Sequence, residues 1–187
     1  MDLTSYAELA VRLVNSAAGV DSETDQLGTT EAFGAFVGSY PHLRGPWNHL
    51  DIDALRMLRT ELTAVFTAAA QRDHTTASEK LNALLVLYPV RPVMVRHDRS
   101  RWHMHLDESG SVADRYAAGA VSGLALLAAQ FGLTHIGICA VPDCRCAYVD
   151  TGSGRTGRYC AKHGAGKANV TAFRNHRRSA AGFSAAG

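Results

Sequence analysis

Apolar residues recur along the first 130 positions mostly with the period of a helix. Tyr6, Leu9, Ala10, Leu13 and Val14 fall at i, i+3, i+4, i+7 and i+8, the inward stripe of an amphipathic helix. Positions 19–29 are polar, contain glycine and read as a loop. Thr29 or Thr30 then caps a short helix bearing Phe33, Phe36, Val37 and Tyr40, which Pro41 stops. Asp51 is the expected N-cap of a longer helix with Ile52, Leu55, Leu58, Leu62, Val65 and Phe66 on one side. Thr76-Ala77-Ser78-Glu79 has the capping-box form and opens a helix that carries Leu81, Leu84 and Leu85 and ends before Pro89. There the period changes to two. Val93 and Val95 alternate with Met94 and Arg96, and Trp102, Met104 and Leu106 alternate with Arg101, His103 and His105. This predicts a two-stranded hairpin whose apolar face lies on the helices. Val112, Tyr116, Ala120, Val121, Leu124, Leu127 and Ala128 predict a long, largely buried helix closed by Gly132. The segment 135–138 reads as a short strand or linker.

The predicted architecture is an α+β, mostly helical domain over residues 1–135 with one hairpin. A small treble-clef-like module of hairpin and helix follows over 136–180, and a Gly/Ala-rich tail over 181–187. A hydrophobic share of 47% with 19% charged residues is a globular composition, not that of a disordered chain. The chain has no run of about 18 apolar residues and no basic-then-apolar start of the signal-peptide type. No membrane association and a cytoplasmic location are therefore expected.

All four cysteines lie at 139, 144, 146 and 160. Clustered cysteines in a chain without secretory signals point to metal rather than to a disulfide framework. Cys139-x4-Cys144 and Cys160-x2-His163, separated by 15 residues, supply the two close ligand pairs that tetrahedral zinc favours. The spacer, with Tyr148, Val149 and the turn Gly152-Ser153-Gly154, fits a small hairpin between the pairs. Five candidates compete for four places. The first choice is Cys139, Cys144, Cys160 and His163, with Cys146 as the fallback. Such a module has almost no apolar core, so bound Zn2+ has to supply folding energy, about 10 kcal/mol or more in peptide-sized domains.

Charge is unevenly placed. Residues 1–150 hold 12 Lys and Arg against 17 Asp and Glu, a net −5, whereas residues 151–187 hold seven bases and no acid. Lys167, Thr171, Arg174 and Arg178 follow one helical face, and Val170 and Phe173 follow another that can pack on the zinc core. Long cations on one face match the phosphates of DNA, and arginine also reads guanine edges. The candidate nucleic-acid contacts are Arg155, Arg158, Lys167, Asn169, Arg174, Arg177 and Arg178. Asn169 is placed, like Asn175, to touch bases.

These residues resemble a known family. Cys139-x4-Cys144-x3-Tyr148-x-Asp150-Thr151, Arg158-Tyr159-Cys160 and Ala168-Asn169-Val170-Thr171-Ala172-Phe173-Arg174-x3-Arg178 are similar to the CGNR zinc finger. That finger is the C-terminal module of bacterial proteins described as stress-induced transcription regulators. The body resembles the family's N-terminal ABATE domain through Leu13-Val14-Asn15-Ser16, Leu55-Arg56-x2-Arg59-x2-Leu62, Leu81-Asn82 and Trp102-His103-Met104-His105. The resemblance implies zinc binding, DNA binding and a regulatory role. One departure stands out. The family's Cys-Gly-Asn-Arg tetrad falls on Gly164-Ala165-Gly166-Lys167, so the fourth ligand cysteine is replaced by glycine. The neighbouring His163, or else Cys146, has to take its place.

No nucleophile or acid–base pair with defined spacing is present, nor a Walker loop or His-Glu-x-x-His, and a non-enzymatic protein is expected. Asn15, Arg56 and His103 are candidates for a pocket that takes an unknown small-molecule effector, and the body is also a candidate for homodimer formation. Two readings compete with the DNA-binding regulator. One is a zinc-stabilised protein-interaction module without nucleic acid, and the other a small-molecule-binding enzyme in the body.

Overall fold

The computed structural model describes residues 3–40, 43, 45–96, 102–106, 109–151 and 158–164. Among the described residues five helices carry the body: α1 (Leu3–Asn15), α2 (Thr30–Gly38), α3 (His49–Ala70), α4 (His74–Leu87) and α5 (Val112–Phe131). Four short strands complete it: β1 (Pro92–Val95), β2 (His103–Leu106), β3 (Ile136–Ile138) and β4 (Ala147–Val149). Among the described residues no helix is long and apolar enough to cross a membrane.

The stripe of α1 meets α5 and α3 in the core. Leu13, Leu55, Leu62, Phe66, Tyr116 and Leu124 are all fully buried there. Contact between α1 and α5 is unusually close because α5 carries Gly119 and Gly123. A Cβ at Gly123 would stand 2.4 Å from the Tyr6 carbonyl carbon and 2.5 Å from the Ala7 nitrogen. Tyr116 reaches across the same seam and donates its hydroxyl to the Leu9 carbonyl at 2.9 Å, which keeps a buried phenol satisfied. Phe36 and Tyr40 close the top of the seam against the Tyr116 ring.

Two helix starts differ from the sequence expectation. Asn48, not Asp51, caps α3, and Asp51 completes the capping box from the third helical position. Asp51 also accepts from the Ala113 amide at 3.0 Å, so one buried carboxylate joins the N-termini of α3 and α5. The helix α4 starts at His74 under Asp73, whose carboxylate accepts from the Thr76 amide. The α3–α4 turn is made within three residues, and Arg72 takes a left-handed φ of 64°. This brings Asp73 to the cap ahead of Thr76. The remaining starts follow local chemistry: Thr29 caps α2, and Ser111 caps α5 in a box with Asp114.

The hairpin also departs from expectation. β1 and β2 pair antiparallel, Pro92 opposite Leu106 and Val95 opposite His103. Among the side chains described there, Val93, Met94 and Trp102 do not settle on the helices: they are 42%, 61% and 62% exposed. Strands of four residues offer little area to bury, and the helices already cover one another with their own leucines. The second sheet, β3 against β4, is by contrast fully joined to the body. Ile136 and Ala147 belong to the main core, with β3 lying on α3 and β4 on α1.

Candidate metal centre

The four candidate ligands converge. One donor atom each from Cys139, Cys144, Cys160 and His163 lies within 4.8 Å of the others. Nδ1 of His163 is 3.4 Å from the sulfur of Cys139 and 3.4 Å from that of Cys160, and the Cys144 and Cys160 sulfurs are 3.9 Å apart. Ideal tetrahedral zinc with Zn–S about 2.3 Å and Zn–N about 2.0 Å requires S···S near 3.8 Å and S···N near 3.5 Å. The donor chemistry and these three separations both fit the ion. None of the four cysteines is in a disulfide.

Local sequence explains the convergence. Val141-Pro142-Asp143-Cys144 closes a turn in which the Cys144 amide donates to the Val141 carbonyl at 3.1 Å. Pro142 suits its second position, and Asp143 takes the third with φ 64°, the arrangement of a type II turn. The turn lifts Cys144 beside Cys139. Its two stems are β3 and β4, tied by the Cys139 amide donating to the Cys146 carbonyl at 2.9 Å. The knuckle is thus the loop of the β3–β4 hairpin. The turn of the hairpin expected inside the spacer, Gly152-Ser153-Gly154, lies outside the described residues. Cys160 and His163 share the face of a helical turn at 161–164, where the His163 and Gly164 amides donate to the Cys160 carbonyl. At Gly164 a Cβ would meet nothing within 4 Å.

Cys146 stands outside this donor set. It is buried, and its sulfur faces the Val20 carbonyl at 3.5 Å. Burial, reinforced by Cys144, pushes its thiol up to about 12. Burial also opposes ionisation of Cys139, but the amides of Cys160 and Val141, with His163 and Cys144, outweigh it and bring that thiol down to about 7.

The body holds the module at several points. The Asn15 carboxamide accepts from the Ala147 amide at 2.7 Å and donates to the Ala147 carbonyl at 3.1 Å, pairing with the outer edge of β4 as another strand would. Arg145 donates to the Gly19 carbonyl, and Lys162 forms an ion pair with Asp21 at 2.5 Å. Asn15 is therefore a clamp between body and module. Arg56 is engaged elsewhere, donating to the Leu27 and Gly28 carbonyls, so the structure does not bring it together with Asn15. His103 lies on β2, and its side chain is outside the description. Arg59, three positions after Arg56 on α3, forks onto both oxygens of Asp25 at 2.7 and 2.8 Å and donates to the buried Ser16 hydroxyl. Arg158 is exposed beside the module. Arg155, Lys167, Asn169, Arg174, Arg177 and Arg178 lie outside the described residues.

The fold and the site define a helical body carrying a zinc-binding knuckle. The chain belongs to the ABATE family, described as "Putative stress-induced transcription regulator", whose model matches residues 7–131. A CGNR zinc finger matches residues 135–178. No curated protein matches the chain.

Proposed function

We propose that the protein is a DNA-binding transcription regulator in which Cys139, Cys144, Cys160 and His163 hold a structural zinc ion. Bound zinc supplies a cross-link between the knuckle and the helical turn, and it takes no part in a reaction. The cross-link fixes the start of the basic segment against the β3–β4 hairpin, and Lys167, Arg174, Arg177 and Arg178 lie along DNA phosphates. The helical body is the regulatory part. The observation that carries this reading is the coincidence, within one module, of a Cys3His donor cluster with a segment of seven bases and no acid.

Fluorescence anisotropy with a labelled duplex tests it. With four cations on phosphate, log K falls with log salt at a slope near −3.6, an affinity loss of about 150-fold between 50 and 200 mM salt. Reversing Arg174→Glu and Arg178→Glu together removes retention. Absence of binding at low salt, or binding indifferent to salt, overturns the DNA reading and favours a zinc-stabilised protein-interaction module.

A further inference from the structure

The body contains a cavity that the zinc module does not touch. Residues of α4, α5 and the segment 90–92 enclose about 670 Å³, within the range of small-molecule sites, roughly 300–1,000 Å³. Leu81, Leu85, Val90, Leu126 and Leu133 supply much of the wall, and among the described residues no charged side chain takes part. The concavity originates in α5. Ser122, Ala125 and Ala129, at i, i+3 and i+7, present small side chains toward α4.

Three polar residues interrupt this wall, Ser78, Asn82 and Ser122, and the Ser78 hydroxyl is already taken by the Thr75 carbonyl. Ser122 is 3% exposed, and its hydroxyl has no hydrogen-bond partner among the described residues. A serine inside a helix can return its hydroxyl to a carbonyl one turn back, and Ser122 does not. A buried hydroxyl left unpartnered is unfavourable, and Ser122 is part of the cavity wall. Asn82 adds an exposed amide at the rim.

We propose that this cavity is the binding site for a neutral, largely apolar small molecule carrying one hydrogen-bonding group, anchored on Ser122. A charged ligand is disfavoured because it would be desolvated there without a counter-charge. The proposal deepens the regulatory role assigned to the body and rests on that role for its purpose. Binding is read without DNA, so a failure here leaves the zinc and DNA reading intact.

The test uses the full zinc-loaded chain and N-phenyl-1-naphthylamine, an uncharged apolar fluorophore with a single N–H. The expected result is a saturable fluorescence rise at one probe per chain. Ala129→Phe, at an exposed position of the wall, weakens binding by at least about tenfold by filling the space, with helicity retained by circular dichroism. Ala125→Leu acts in the same direction. Ser122→Ala weakens binding about fivefold while raising the melting temperature, because it removes an unpartnered hydroxyl. A purely structural serine would not give these opposite movements. Non-saturable binding, or saturable binding indifferent to both filling variants, overturns the proposal. So does light scattering that shows a dimer which Ala129→Phe converts to monomer, since a second copy would then occupy this face.

Discussion

Replacing Asn15 by alanine separates the body from the zinc hairpin at its main polar joint. The substitution removes two hydrogen bonds of 2.7 and 3.1 Å to the amide and carbonyl of Ala147. Ala147 is 1% exposed, and its backbone groups point away from β3, so no sheet partner takes over. A net hydrogen bond is worth about 1 kcal/mol, and a buried group left unsatisfied costs about 1–3 kcal/mol. Asn15 is half-buried, so water admitted in its place recovers part of the loss. The expected destabilisation is about 2 kcal/mol, which in a chain of this size lowers the melting temperature by roughly 4–8 °C. Thermal unfolding followed by circular dichroism in excess zinc measures this, and a chelator-competition assay should show faster zinc release from Asn15→Ala than from wild type. A destabilisation under about 0.5 kcal/mol with unchanged zinc release would refute the view that this carboxamide joins the two parts.

Three further outcomes are expected. Gly123→Ala drives a Cβ to 2.4 Å from the Tyr6 backbone. Backbone cannot yield as a side-chain tip does, so urea unfolding should show a loss of about 3 kcal/mol or more. At Asp51, burial works against the charge, but the Ala113 and Asn48 amides outweigh it and hold the carboxyl below its ordinary value of 3.8. A folded value below the unfolded one stabilises fully above about pH 4 and is lost as pH falls through the folded value. Asp51→Asn should therefore cost about 1–3 kcal/mol near neutrality, and the gap to wild type should narrow in acid unfolding below about pH 4. Arg59→Lys keeps the charge but loses the fork onto Asp25 and should cost about 1 kcal/mol by urea titration.

The long helices were legible because their apolar residues keep a 3.6 period over many turns, as in α1 and α5. Their starts were less so. Asn48 and Asp51, like Asp73 and Thr76, are both capping types spaced three apart, and only the incoming chain decides which one caps. The convergence of Cys139, Cys144, Cys160 and His163 matches the first choice made from spacing, with Cys146 as the fallback, since both pairs are local. What joins that site to the body was not readable. Asn15 meets Ala147 across 132 positions, and β4 finds its partner β3 on the far side of the knuckle. A lone asparagine at a helix end carries no sign of either. Arg56, a candidate for the pocket, donates instead to backbone carbonyls of the α1–α2 connection, a contact 28 and 29 positions away that no local pattern announces. The cavity wall at Ser122, Ala125 and Ala129 read simply as an Ala-rich buried helix, because concavity depends on what packs beside it.

The identity of the zinc ligands is decided by the metal content of the full chain. Plasma mass spectrometry on wild type, Cys146→Ser and His163→Ala, purified without chelator, should find about one zinc per chain in the first two and a marked loss in the third. Zinc retained by His163→Ala but lost by Cys146→Ser would rule out the Cys3His site and move the fourth ligand to Cys146.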